Sequence, residues 1–195
     1  MSRFIETILV HNGTARNLAY HQIRVNRTIS RFFGSRPFEL SLYLTNLPRS
    51  GSFRCRITYG KTLENLELIP YQQTKKTKLL AIESDLNYNY KFQDRSGLDE
   101  LGRHAAMRGC DDALIVKNGL IADTTIANIA LFDGRIWHTP ALPLLQGTMR
   151  ARLIQSRLIR PAAIGPEDLK RYSHLAIFNA LSGFYIAGNP GEIIR

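Results

Sequence analysis

Cysteine, lysine and long apolar runs are scarce in this chain of 195 residues, and each shortage removes a class of protein. Two cysteines, Cys55 and Cys110, are too few for a disulfide framework and fit unpaired thiols in a reducing compartment. No His/Cys spacing matches a metal site, so no metal is expected. No apolar stretch nears the roughly 20 residues needed to cross a bilayer, and no membrane association is expected. The opening residues Met1-Ser2-Arg3-Phe4-Ile5-Glu6 place an acid where a secretory signal carries its apolar run. A cytoplasmic location is therefore the expectation. Repeats and low-complexity tracts are missing as well.

Apolar residues make up 44% of the chain, an ordinary proportion for a globular protein. The length suits one large domain or two small ones sharing a core. Only seven of the 26 basic residues are lysine, and the formal charge is +10. That balance admits a nucleic acid, an anionic small ligand or a merely basic surface. The basic residues are spread along the chain, with one short cluster at Lys75-Lys76-Thr77-Lys78. Zinc-finger, basic-zipper and RNP patterns are missing, so the anionic small ligand is preferred and no nucleic acid is expected.

Ser2 to Val10 reads as a strand turned by Asn12-Gly13, a hairpin signal. Helical spacing runs from Leu18 to Phe33 and stops at Gly34, and a short helix is expected over Pro37 to Leu47. Phe53 to Gly60 alternates as a half-buried strand does. Leu63 to Tyr71 is its partner, and Leu79 to Glu83 is one more strand. The polar stretch 84–90 reads as a joint, followed by a helix from Lys91 to Met107. Hairpins are expected around Asn118-Gly119 and Asp133-Gly134. A helix starts at Gly147-Thr148, a short strand precedes a helix at Pro166-Glu167-Asp168, and His174 to Leu181 is a buried strand. The expected fold class is α+β in two unequal lobes: residues 1–83, a joint at 84–90, and residues 91–195.

Five segments in order carry a resemblance: Phe4-Ile5-Glu6-Thr7-Ile8, His21-Gln22-Ile23-Arg24-Val25, Lys91-Phe92-Gln93-Asp94-Arg95, Asp123-Thr124-Thr125-Ile126-Ala127-Asn128-Ile129 and Leu145-Gln146-Gly147-Thr148-Met149-Arg150. They resemble F-E-T-I-R, H-x-x-R-L, K-x-x-N-R, E-G-T-x-x-N-[IVL] and L-x-G-[IV]-[TM]-R of the class IV aminotransferase family. That family includes D-amino-acid and branched-chain aminotransferases and 4-amino-4-deoxychorismate lyase. The resemblance implies the two-lobed D-amino-acid-aminotransferase-like fold (fold type IV), with a smaller N-terminal α/β lobe and a larger β-rich one. It also implies pyridoxal 5'-phosphate as cofactor and a homodimer. The family's segment ahead of the first strand is longer, so a trimmed N-terminal lobe is expected.

By that resemblance Lys91 forms the Schiff base with the cofactor and acts as the base once substrate displaces it. A lysine in a helix's first turn meets the positive end of the dipole, a local conflict that favours function over a solvated helix position. The resemblance gives Arg24 the phosphate, through a guanidinium fork. Gly147, Thr148 and Met149 open a helix whose amides suit an anion. Asn179-Ala180-Leu181 resembles an N-A-L segment near the phosphate in aminodeoxychorismate lyases, against a plain strand end. Asp123 takes the place of the family's glutamate opposite the ring nitrogen, one methylene shorter. Asn128 either holds that loop or caps a turn. Ile5 stands where relatives often carry a hydroxyl-bearing tyrosine, so Tyr88 or Tyr90 is the candidate substitute, against a core aromatic. Arg54 and Arg56 share one strand face and are candidates for a substrate carboxylate, against exposed strand arginines. His104, His138 and Trp137 read as structural.

The implied activity is pyridoxal-phosphate chemistry on an amino-acid-like, anionic small-molecule substrate. A 4-amino-4-deoxychorismate lyase-like elimination releasing pyruvate leads. A class IV aminotransferase, or a non-catalytic cofactor-binding or basic interaction protein, stands as the alternative.

Overall fold

In the first strand, β1 (Phe4–His11), Phe4, Glu6, Ile8 and Val10 turn one way and Ile5, Thr7, Leu9 and His11 the other. The computed structural model, which describes residues 2–194, pairs β1 antiparallel with β3 (Ser52–Tyr59) and β3 with β4 (Leu63–Pro70). A two-residue β2 (Thr14–Ala15) folds back on β1 through Asn12 and Gly13, both at positive φ as a tight hairpin turn requires. Helix α1 (Leu18–Phe33) buries His21, Val25, Thr28 and Ile29, and ends at Gly34 in the left-handed region. Its apolar side chains join Phe4, Ile8, Val10, Cys55, Ile57 and Tyr59 in one core.

This first compact unit runs through Gln73 and is completed by Tyr90–Asp94. The second comprises Thr74–Asn89 and everything from Arg95 onward. It contains a three-stranded sheet in the order β5 (Leu79–Glu83), β6 (Asp112–Lys117), β7 (Leu120–Thr124). A five-stranded sheet has the order β10 (Ile159–Ala162), β9 (Trp137–Pro140), β8 (Asn128–Phe132), β11 (His174–Asn179), β12 (Gly183–Gly188). Helix α2 (Ser96–Met107) lies on β6 and β5, and α3 (Thr148–Gln155) on β10 and β11. The fold class is α+β, with near-continuous burial along β6 and β8. Among the described residues no helix is long and apolar enough to cross a membrane.

Several elements differ from the sequence expectation. The helix expected from Lys91 begins only at Ser96. Residues 91–93 are held beside β1 instead, by Ile5 N–H to Lys91 O (2.9 Å) and Gln93 N–H to Arg3 O (2.8 Å). Phe92 stacks 5.0 Å from Phe4 in a tilted ring pair, so aromatic burial overrides the helical spacing. The dipole argument for Lys91 falls with that helix. The helix expected over Pro37 to Leu47 shrinks to a 3₁₀ turn at Leu40–Leu42. There the Gln22 amide takes the Leu40 N–H and the Phe38 carbonyl, tying the segment to α1. The helix at Pro166 is a 3₁₀ turn, Pro166–Arg171. The last buried strand stops at Asn179 and is followed by an unforeseen one, β12, entered through Gly183 at positive φ. Because β5 pairs parallel with β6, residues 79–83 belong to the second unit, whereas Lys91 belongs to the first. The expected boundaries at 83 and 91 differ from this division.

Phe4 is fully buried and meets Phe32, Phe33, Tyr59 and Phe92. Phe4→Ala is expected to cost about 3–5 kcal/mol in urea unfolding, with the m-value unchanged.

Candidate functional site

Polar side chains gather in two places, one in each unit. In the first, the Glu6 carboxylate is wholly buried beneath α1. Arg24 Nε donates to its Oε1 (2.8 Å) and Arg24 Nη2 to its Oε2 (2.6 Å), while His21 Nδ1 lies 2.5 Å from Oε2. His21 and Arg24 are three apart on α1, the spacing that brings two side chains to one partner. Burial pushes the Glu6 carboxyl up, but the Arg24 charge and the hydrogen bonds from Arg24 and His21 outweigh it and hold it at about 2. Burial depresses His21, against the pull of Glu6, and the charges of Arg24 and Lys91 add to the depression. The imidazole is thus neutral at pH 7, and Nδ1–H donates to the carboxylate. Thr28 Oγ1 donates to the Arg24 carbonyl at 2.9 Å.

Lys91 stands in register with Ile5, the head of the row Ile5, Thr7, Leu9 on the β1 face turned away from α1. On β3 the partners of that row are Thr58, Arg56 and Arg54. Arg56 and Arg54 therefore share one sheet face, as expected, each row about 7 Å beyond the last. Arg54 Nε is buried without a hydrogen-bond partner. Tyr90 packs edge-on against Phe32 at 4.8 Å and carries Arg27 over its ring, so it is a packing aromatic. Tyr88 is buried in the second unit.

The second group surrounds Asp123, near the end of β7, fully enclosed and 3% exposed. Asn128, the first residue of β8, donates Nδ2–H to Asp123 Oδ1 (2.7 Å) and to the Leu145 carbonyl (2.9 Å). Leu145 N–H donates to Asp123 Oδ2 at 2.8 Å. Burial raises the Asp123 carboxyl to about 7, opposed by Leu145, Asn128 and the Arg150 charge. Asn128 thus ties the start of β8 to Asp123 and to the backbone at Leu145. A Cβ on Gly147 would stand 2.0 Å from Asn128 Oδ1, so a side chain here would push the Asn128 amide out of its place. No side chain caps α3 and its first turn holds no acid, which leaves a helix N-terminus suited to an anion. Met149 does not fit the expected role with its side chain, which packs with Ala130, Leu153, Ile159 and Phe178; only its backbone is in question. Asn179 Oδ1 accepts from Leu181 N–H (2.9 Å) and Ser182 N–H (2.8 Å), and its Nδ2 donates to the Ile126 carbonyl (3.3 Å). Ala180 is half-buried in that turn.

Sequence reasoning left Glu6, His21, Arg95, Asp112 and Arg150 without roles. Glu6 had a visible signal, an acid on the apolar face of an otherwise core strand. Asp112 had none: its Oδ1 accepts from Thr125 Oγ1 at 2.6 Å, and Arg95 donates to the Thr125 carbonyl at 3.0 Å, pinning the turn between Asp123 and Asn128.

Residues 3–187 match the model of the class IV amino-transferase family. This chain belongs to that family. Its members depend on pyridoxal 5'-phosphate. Over 190 residues the chain is 33% identical to an uncharacterized protein of Haemophilus influenzae, spanning 94% of this chain and 100% of the relative. A provisionally named 4-amino-4-deoxychorismate lyase of Haemophilus somnus is 33% identical, with TM-score 0.85 and coverage of 94% and 98% of the two chains. A provisionally named amino-acid aminotransferase of Mesorhizobium loti shares the fold at 20% identity, TM-score 0.79 and coverage of 95% and 98%. So does the pyridoxal-phosphate-bound form of a hypothetical aminotransferase of Mycobacterium tuberculosis, at 15%, 0.75, and 94% and 79%.

Two outcomes are expected. Glu6 titrates at about 2 when folded and at about 4.3 when unfolded, so its stabilising share is whole above about pH 4.3 and is lost as the pH falls toward 2. Glu6→Gln should cost about 3–5 kcal/mol at neutral pH, with the deficit shrinking below about pH 3 in denaturant titrations. Gly147→Ala should displace Asn128 and lower stability by about 1 kcal/mol or more, read as a fall in thermal midpoint, because alanine at this N-cap brings no helix-interior gain to offset the clash.

Proposed function

We propose that this chain is a pyridoxal-phosphate-dependent lyase of the 4-amino-4-deoxychorismate lyase kind, releasing pyruvate from an amino- and carboxylate-bearing substrate. The observation that carries the reading is the 33% identity, across 94% of this chain and 98% of the other, to the Haemophilus somnus protein of that name.

The residues present fit the cofactor. Asp123 is a buried carboxyl raised to about 7, so a cationic ring nitrogen beside it would be strongly favoured. The first turn of α3, opening at Gly147 and Thr148 with no acid in it, suits a phosphate. Arg24 carries five N–H donors, and the two that Glu6 takes hold its guanidinium still, a fixed positive charge suited to an anion. Bound pyridoxal phosphate supplies an aldehyde for amines and an electron sink for charge released at the neighbouring carbon. Lys91 Nζ would be the amine that holds the cofactor. With substrate bound, its free Nζ would be the base that takes the proton from the amine-bearing carbon and holds it for return. Asp123, kept ionised, holds the ring nitrogen's proton in place. Arg54 and Arg56 orient the substrate carboxylates, Arg54 with a donor that has no partner within the chain. A homodimer is part of the same proposal.

Borohydride reduction of the protein loaded with pyridoxal phosphate should fix the label on Lys91, and Lys91→Ala should lose it. Pyruvate release from 4-amino-4-deoxychorismate supports the lyase. Amino transfer to a keto acid without pyruvate release would assign the aminotransferase instead. Label scattered over surface lysines would overturn both.

A further inference from the structure

Arg150 is 5% exposed and is the one buried lysine or arginine among the described residues. It is the third residue of α3, in the first turn, where the helix dipole disfavours a cation by a few tenths to 1 kcal/mol and an acid would be the favoured choice. Taking a guanidinium out of water costs several kcal/mol more. Two hydrogen bonds do not account for that placement: Nη1–H donates to Gln146 Oε1 and Nη2–H to the Pro140 carbonyl, both at 2.9 Å, while the buried Nε–H has no partner. Both acceptors are neutral.

The opposite charge that acts on it is Asp123. The two partners of Arg150 bracket the segment 140–146, and within that segment Leu145 N–H donates to Asp123 Oδ2. Asn128 closes the same ring by donating to both Asp123 and Leu145. The electrostatic pull between Arg150 and Asp123 favours the charged form of each. We infer that Arg150 is a positioning residue for Asp123, a buried cation that supplies its counter-charge and ties down the segment whose backbone hydrogen-bonds it. Arg150 touches no cofactor atom in this inference. It biases the shorter carboxylate toward its charged form and keeps it aimed before any cofactor arrives. The inference concerns the chain without ligand, so it stands or falls separately from the lyase reading.

Other charged groups on the surrounding elements are few. Asp112 and Lys117 lie at the two ends of β6, the latter bonded to the Leu86 carbonyl. Arg95 precedes α2 and holds Thr125, and His138 on β9 is paired with Asp133. Asp112 is the only other buried carboxylate of this unit among the described residues, and its Oδ1 is taken by the Thr125 hydroxyl.

The test is the pH dependence of unfolding of the cofactor-free protein. A carboxyl whose folded pKa lies above its unfolded one lowers stability as the pH rises from the unfolded value, about 4, to the folded value, about 7, and no further. Arg150→Gln, which keeps a donor for Pro140 but not the charge, should move the upper end of that decline up by about a pH unit or more. Arg150→Lys should return it to the wild-type position. In an Asp123→Asn background, Arg150→Gln should leave the shape of the pH profile unchanged. An upper end that does not move in Arg150→Gln, or the same shift with Asp123 already replaced, overturns the inference. Should Arg150→Gln fail to fold, the wild-type protein decides by NMR. Arg150 side-chain nitrogens that follow the Asp123 carboxyl midpoint support the coupling, and nitrogens blind to it overturn it.

Discussion

A carboxylate deprived of water is the constraint on which the first unit depends. Glu6 replaces one apolar residue on the core face of β1, and an unpaired charge there would cost more than the surrounding core could return. Arg24 and His21 remove that penalty only if α1 crosses β1 with one particular rotation. The ion pair therefore fixes α1 in register over the sheet, and Val25 and Ile29 on the same helix fill the core beside it. Function and folding meet in this pair, because the arginine assigned to the phosphate is the one that the fold already holds in place.

The second unit solves the same problem differently. Asp123 receives hydrogen bonds from the Asn128 side chain and from backbone at Leu144 and Leu145, and its cation, Arg150, acts without a direct hydrogen bond to it. The result is a carboxyl near neutrality, not one held far below it as Glu6 is. A group in that state gains most from a further positive charge, while a fully paired carboxylate such as Glu6 has little left to gain. The contrast separates an acid built to hold a helix from one suited to hold a ligand.

Most of the elements were legible in the chain. Leu18 to Phe33 shows helical spacing and ends at a glycine in the left-handed region, and the turns at Asn12-Gly13 and Asn118-Gly119 carry residues that accept positive φ. Readings failed where a side chain captured the backbone or an aromatic ring overrode the period. Gln22 took the amide and carbonyl on which a helix after Pro37 would have drawn, and Phe92 drew the Lys91 segment to the edge of β1. Neither event has a local signal, since each partner lies far away in sequence. The same holds for Met149, whose place in the site motif gave no hint that its side chain belongs to the core.

The sequence by itself determined the family and the expected set of chemical groups. Ordered motifs record which residue types recur at which spacing, and Lys91, Arg24, Asp123 and Gly147 stand in those motifs. Only the tertiary structure decided what surrounds each group: Glu6 and His21 gripping Arg24, Asn128 and Leu145 enclosing Asp123, and Arg150 buried against the preference of its own helix. The physical reason is that burial and charge are properties of neighbourhoods. An aspartate is an ordinary acid in a sequence, and becomes a carboxyl near pH 7 only when β7, β8 and α3 exclude water from it.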